Sequence, residues 1–146
     1  MATALDANVL LRFSQKAHPL SSMVRNAAKQ FHTSGEELCM LPQNLVEFWG
    51  VATRPISARG GFGLTTQQAN RKVRLLERFL TLTPDTPEIH EEWRRLVVQH
   101  KVSGVQVHDA RIAAFLRVHG ITRLLTFNTK DFTRYSGFVA VHPEII

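Results

Sequence analysis

Four carboxylates stand out by their surroundings: Asp6 in "ALDANVLL", Glu47 in "NLVEFWG", Asp109 in "VHDARIAA" and Asp131 in "LLTFNTKDF". A carboxylate among apolar neighbours needs a cation or a hydrogen-bond donor to stay charged. Each has an ordinary alternative, since Asp6, Asp109 and Asp131 could cap helices or turns and Glu47 could be a solvated helix charge. Gathered in one place, however, four acids repel unless positive charge sits between them. Hard divalent cations such as Mg²⁺ or Mn²⁺ meet that need with oxygen ligands. On a basic protein such a centre suits phosphodiesters, because a cation can bind phosphate and activate water while arginines hold the flanking backbone. Arg12, Arg54, Arg59, Arg71, Arg74 and Arg78 are the candidates for those backbone contacts, against an ordinary role as solvated helix charges.

For the acids to meet, the elements between them must alternate. Short apolar runs at 2–5, 37–41, 80–83, 121–127 and 138–142 read as strands. Between them the sequence predicts helices. One follows Ser21 or Ser22 as its cap and ends near Ser34-Gly35, another follows Pro42, and a third runs from Thr65 or Thr66 to about Phe79. A fourth starts at Pro87, and a fifth spans 107–119 with Gly120 as a left-handed stop. On the third helix Ala69, Val73, Leu76 and Leu80 share one face while Arg71, Arg74 and Arg78 share the other. The strands are apolar throughout rather than alternating, which predicts a parallel sheet covered on both sides. In such sheets sites form beyond the carboxyl ends of the strands, where the strand order reverses. Asp6 and Asp131 follow strands closely, and Glu47 and Asp109 lie early in helices, so all four can reach that edge. The Gly- and Pro-rich segment 54–65 reads as a long loop, and its "RGGFG" part, 59–63, as a mobile stretch near the substrate entrance.

The 146 residues suit a single domain. With 44% hydrophobic and 21% charged residues the chain reads as globular rather than disordered. A net charge of +6 points to a polyanionic partner. Cys39 is the sole cysteine, so neither an internal disulfide nor a cysteine-based zinc site can form, and a reducing, cytoplasmic setting is expected. Asp6 interrupts the apolar start of the chain, unlike a signal peptide, and no run is long enough to span a bilayer.

The segments "ALDANVLLRF", "NLVEFWGVATRP", "VSGVQVHDARIAAFLRVHGI" and "LLTFNTKDFTRY" resemble, in order, the motifs of PIN-domain ribonucleases, especially the VapC toxins of bacterial toxin–antitoxin pairs. The resemblance implies a three-layer α/β/α fold with a parallel sheet of strand order 3-2-1-4-5. It implies a Mg²⁺ or Mn²⁺ site in which the acid of the first strand is Asp6, the helix glutamate Glu47, the "DA-x-IAA" aspartate Asp109 and the "T-x-N-x-x-D-F" aspartate Asp131. Asp6, Glu47 and Asp109 would stand closest to the metal, with Asp131 serving a second ion or a water. Asn8, Thr126 and Asn128 match the polar positions beside the acids and would orient ligands or water. It further implies RNA cleavage leaving a 5′-phosphate and a 3′-hydroxyl, a homodimer, and an inhibiting antitoxin partner.

Other readings are weaker. A haloacid-dehalogenase-like phosphatase wants a second aspartate two residues after the first, where this chain has Asn8. A PIN nuclease outside the toxins and a non-catalytic module binding RNA or a partner stay open as alternatives. The seven histidines form no HExxH pair, and "RGGFG" lacks the Gly-Lys-Ser/Thr of a phosphate-binding loop. The serines Ser21, Ser22 and Ser57 have no GxSxG setting. His108 reads as a packing or supporting residue beside Asp109, and Phe48, Trp49 and Trp93 read as core.

Overall fold

A computed structural model describes residues 1–145. Five strands form one parallel sheet in the order β3-β2-β1-β4-β5. They are β1 (Ala2–Leu5), β2 (Glu37–Met40), β3 (Thr81–Leu82), β4 (Arg123–Leu125) and β5 (Val139–Val141). The helices are α1 (Ala7–Ser14), α2 (Ser21–Thr33), α3 (Pro42–Thr53), α4 (Thr66–Phe79), α5 (Pro87–Gln99) and α6 (Val107–His119).

Strand side chains alternate between two cores, as the pleat requires. Leu5, Leu38, Met40 and Leu125 join Val9, Leu10, Phe48 and Leu76 on the side of α1 to α4. Ala4, Cys39 and Leu124 join Ile89, Leu96, Phe115 and Leu116 on the side of α5 and α6. This double burial explains why the strands carry no polar face, and it makes three layers with the sheet in the middle.

Local signals set the helix ends. Asp6 caps α1, Pro42 and Pro87 open α3 and α5, and Thr65 with Gln68 forms a reciprocal capping box on α4. Gly120 closes α6 with φ of 65°. The helix after the first loop departs from expectation: α2 starts at Ser21, and neither Ser21 nor Ser22 caps it. The N-cap is Leu20, with no side-chain cap; just before the helix, the Leu20 N–H donates to His18 Nδ1 at 3.1 Å. Ser21 is free to accept from Arg25 Nε. The strands at 121–127 and 80–83 are shorter than their apolar runs suggest, although the flanking Thr122, Thr126 and Thr83 still bond to Val139, Val141 and Met40 through their backbones.

The segment 54–65 is bonded back onto α3 rather than standing away from it. Phe62 N–H donates to Val51 O, Gly63 N–H to Arg54 O and Leu64 N–H to Ala52 O. A Cβ at Gly61 would lie 2.3 Å from Pro55 O and 2.4 Å from Arg54 O, a backbone clash that cannot relax by a rotamer change. At Gly120 a Cβ would meet open space, so only the left-handed backbone opposes a side chain there. Thermal denaturation should therefore rank the two: Gly120→Ala costs about 1 kcal/mol, and Gly61→Ala costs about 2 kcal/mol or more. Equal costs would mean the loop yields more easily than its contacts imply.

Candidate active site

The strand order reverses between β1 and β4, and the carboxyl ends of these two strands form the centre of the site. Asp6, next after β1, donates its N–H to Leu125 O at 3.0 Å, which fixes its backbone on β4. Its side chain does two jobs. Oδ1 accepts from the Ala7 N–H at 2.8 Å, capping α1, and Oδ2 accepts from the Thr126 hydroxyl at 2.7 Å. Burial pushes the Asp6 carboxyl above its ordinary range; the bonds from Thr126 and Ala7 pull the other way, and the Asp131 charge adds to the rise.

Thr126 is fully buried and its hydroxyl is a hub. While donating to Asp6 it accepts from the Asn128 N–H at 3.1 Å and from Asn8 Nδ2 at 3.4 Å. Asn8 Oδ1 in turn accepts from the Phe127 N–H at 3.3 Å. Asn8 and Thr126 thus tie the first turn of α1 to the end of β4. Asn128 enters this network through its backbone, and its side chain is exposed.

The other acids come from three further elements. Glu47 lies one turn into α3, Asp109 in the first turn of α6, and Asp131 in a 3-10 turn, Thr129–Phe132, after β4. Neither Asp109 nor Asp131 caps its element by side chain. Among the described residues the carboxylates of Glu47, Asp109 and Asp131 accept no hydrogen bond from a protein donor. Asp109 is pushed up to about 6, first by burial and then by the charges of Asp131, Asp6 and Glu47, with His108 opposing. Glu47 is exposed over much of its side chain, yet its carboxyl is raised by lost hydration and by Asp6, and lowered by His108 and Arg54. His108 is exposed and acts on both carboxylates, so it is a neighbour of the site rather than a packing residue.

The arginines divide. Arg54 stands beside Glu47 and donates from Nη1 to Arg59 O at 3.0 Å. Arg59 is exposed in the loop with φ of 31°. Arg12 lies on α1 and bonds Gln15 at 2.7 Å, while Arg71, Arg74 and Arg78 line the exposed face of α4. Of the aromatics read as core, Phe48 is fully buried; Trp49 and Trp93 are half-buried at its margin.

Two residues that sequence reasoning missed align these elements. Asn44, fully buried, donates from Nδ2 to Leu5 O at 3.1 Å and so pins the first turn of α3 to the end of β1. Its Oδ1 has no partner. Gln43 donates from Nε2 to His108 O at 2.9 Å and accepts from Arg111 Nη1 at 3.2 Å, joining α3 to the start of α6. The available signal was a pair of amides directly after Pro42 in an otherwise apolar run.

The donor set fits a hard divalent cation. Four carboxylates from four elements repel one another, three accept nothing from the protein among the described residues, and Arg54 and His108 partly offset the charge of Glu47 and Asp109. Among the described residues no three His, Cys, Asp or Glu side chains form a ready-made ligand cage, so the cluster is open. An open carboxylate cluster suits an ion that keeps much of its water shell, as Mg²⁺ does.

A PIN domain sequence profile matches residues 3–137. No curated protein sequence matches the chain. Among solved structures, the chain is similar to one in VapBC2 from Rickettsia felis bound to a promoter DNA fragment, with 17% identity, a TM-score of 0.70, and 97% of this chain and 98% of that one covered. It is equally similar to a chain of VapBC-1 from nontypeable Haemophilus influenzae, with 17% identity, a TM-score of 0.70 and 98% of each chain covered. VapC20 from Mycobacterium tuberculosis, described as a toxin cleaving the sarcin–ricin loop, matches with 14% identity and a TM-score of 0.57 over 84% of this chain and 86% of that one. At these identities the likeness is one of fold.

The raised Asp109 carboxyl has a measurable consequence. Between pH 3.8 and about 6 folded Asp109 keeps a proton that the unfolded chain has lost, so its cost to folding is absent below that window and full above it. Metal-free Asp109→Asn should therefore be more stable than wild type at pH 7.5, by about 1 kcal/mol after allowance for solvent screening, with the difference vanishing near pH 4. Calorimetric titration with Mn²⁺ should show affinity falling about tenfold between pH 7 and pH 5 as protons compete for the carboxylates. A less stable Asp109→Asn protein at pH 7.5 would contradict the repulsion.

Proposed function

The chain belongs to the PIN domain family over residues 3–137, and from that premise we propose that it is a metal-dependent endoribonuclease and the toxin of a type II toxin–antitoxin pair. The observation that carries the reading is the acid edge, where Asp6, Glu47, Asp109 and Asp131 repel one another and three of them are left unbonded by the protein. A structure that only needed to fold would gain by losing these charges.

In this mechanism Asp6, Glu47 and Asp109 would hold Mg²⁺ or Mn²⁺, with Asp131 holding a second ion or orienting water. When bound, such an ion would supply positive charge for a phosphate oxygen and lower the pKa of water. The chain's own work is to keep its ligands charged and placed. The Thr126 hydroxyl and the Ala7 N–H favour the charged form of Asp6 and partly offset the burial that raises its carboxyl. Asn8 and Asn128 fix Thr126, and Asn44 and Gln43 hold α3 and α6 so that Glu47 and Asp109 face the same edge. Arg54, beside Glu47, is placed to contact a phosphate of the bound strand, and Arg12, Arg59, Arg71, Arg74 and Arg78 extend that contact outward.

The toxin assignment draws support from the neighbours in fold, which include chains of toxin–antitoxin complexes and a toxin described as cleaving the sarcin–ricin loop. The same reading assigns a cognate antitoxin as partner, RNA as substrate, a homodimer and a cytoplasmic setting. No described helix is long and apolar enough to cross a membrane.

Total RNA incubated with the purified, partner-free protein should be cleaved with Mg²⁺ or Mn²⁺ and spared with EDTA. Asp6→Asn should lose a hundredfold or more of the rate, on the order of 3 kcal/mol of transition-state stabilisation. Thr126→Val, which keeps the shape and removes the donor to Asp6, should lose about tenfold to a hundredfold and weaken metal binding in parallel. Undiminished cleavage by Asp6→Asn would end the assignment.

A further inference from the structure

Charge is divided unevenly between the two helical layers. From Ala7 to Gly35, covering α1 and α2, the chain has no Asp or Glu but carries Arg12, Lys16, Arg25 and Lys29. α4 adds Arg71, Lys72, Arg74 and Arg78 against Glu77 alone, while in α5 and α6 four acids face four arginines. Within the basic layer, at the C-terminal end of α1, Lys16, His18, Arg25 and Lys72 line a hollow of about 580 Å³ with no carboxylate among the described residues of its walls.

Three of these groups are held in place. Arg25 donates from Nη2 to Phe13 O at 2.6 Å and from Nε to the Ser21 hydroxyl at 3.1 Å. Lys72 donates from Nζ to Ser14 O at 2.9 Å. His18 accepts from the Leu20 N–H on Nδ1, which places its ring proton on Nε2. Arg25 and Lys72 satisfy carbonyls at the end of α1, a structural task that one cation could perform. Lys16 makes no side-chain bond, and its charge adds to the repulsion. A cationic cluster without counter-charge, with oriented donors left over, calls for an anion from outside.

The hollow is connected to the acid edge by α1. The partly exposed residues Asn8 and Arg12 of α1 and Gln15 at its C-cap lie at helical spacing along one stripe. Asn8 touches Thr126 at the acid edge, and Gln15 lines the hollow. Seven residues of helix rise about 10 Å, a span of two to three nucleotides of a polynucleotide strand. We infer that this hollow anchors a backbone phosphate of the RNA strand, two to three nucleotides from the bond cut at the acid edge. The inference rests on the endoribonuclease reading above. RNA is favoured over an acidic protein segment because the stripe on α1 is polar and continuous with the acid edge. The hollow also lacks the aromatic walls that Phe13 and Phe79 give the neighbouring cleft.

The test is fluorescence anisotropy of a labelled uridine dodecamer in EDTA, which keeps the RNA intact, on wild type, Lys16→Glu and Arg94→Glu. Arg94 is exposed on α5, so its reversal changes net charge equally on the other layer. Lys16→Glu should bind about tenfold more weakly with a shallower salt dependence, while Arg94→Glu changes affinity less than about twofold. Equal losses in both variants, or none in Lys16→Glu, would overturn the anchor. So would loss of poly-glutamate binding by Lys16→Glu with RNA binding intact, which would assign the hollow to an acidic protein segment. Cleavage with Mg²⁺ separates the two readings. If wild type cleaves but Lys16→Glu binds normally, the anchor alone fails; if wild type neither binds nor cleaves, both fail.

Discussion

Repulsion among four carboxylates at the end of β1 and β4 is the constraint around which the molecule is arranged. Left to itself, such a cluster would be relieved by protonation or by spreading apart, and the Asp109 carboxyl is raised first by burial and then by the charges of Asp131, Asp6 and Glu47. Spreading is opposed by tethers that do not involve the acids' own charge. Asn8 and Thr126 lock α1 to β4, Asn44 locks α3 to β1, and Gln43 locks α3 to α6. Each tether ends on a backbone carbonyl, a backbone N–H or a buried hydroxyl, so each draws on groups that must be satisfied anyway.

The sheet gives these tethers something rigid to act on. Its strands are short, only two to four residues, and the three central ones, β2, β1 and β4, bury side chains on both faces while β3 and β5 stay exposed or half-buried at the edges. That makes the ends of β1 and β4, at the middle of the order, the best-supported positions in the fold. Helices α3 and α6 approach from opposite layers, and the site lies where polar side chains bridge them across the sheet's edge. A substitution in either core would therefore be felt at the acids as a change of distance, through packing, before it was felt as chemistry.

Much of this was legible in the sequence because it rests on period and local chemistry. Apolar runs without alternation announced a covered parallel sheet, and Pro42, Pro87, Thr65 and Gly120 marked helix ends where the structure has them. The acids drew notice because apolar neighbours made their charge expensive. The tethers did not, since an amide such as Gln43 or Asn44 early in a helix looks the same whether it meets water or a distant carbonyl. The start of α2 was hidden for a similar reason: Ser21 and Ser22 are good caps by type, but the helix begins after Leu20 with no side-chain cap, and Ser21 lies inside it bonded to Arg25. Segment 54–65 is a loop, as its Gly and Pro content indicates, but its bonding back onto α3 was not legible, because Gly61 reads as freedom where it is needed for a close backbone approach.

The segregation of basic residues into the layer of α1, α2 and α4, with a balanced layer behind the sheet, makes the molecule an electric dipole. A polyanion at a distance exerts a torque on such a body as well as a pull. Orientation would then be chosen before contact, with the basic layer turned toward the strand and α1 leading from it to the acids. Adding salt would blunt this selection within a Debye length of about 8 Å under physiological conditions, slowing productive encounters more than it weakens the complex already formed.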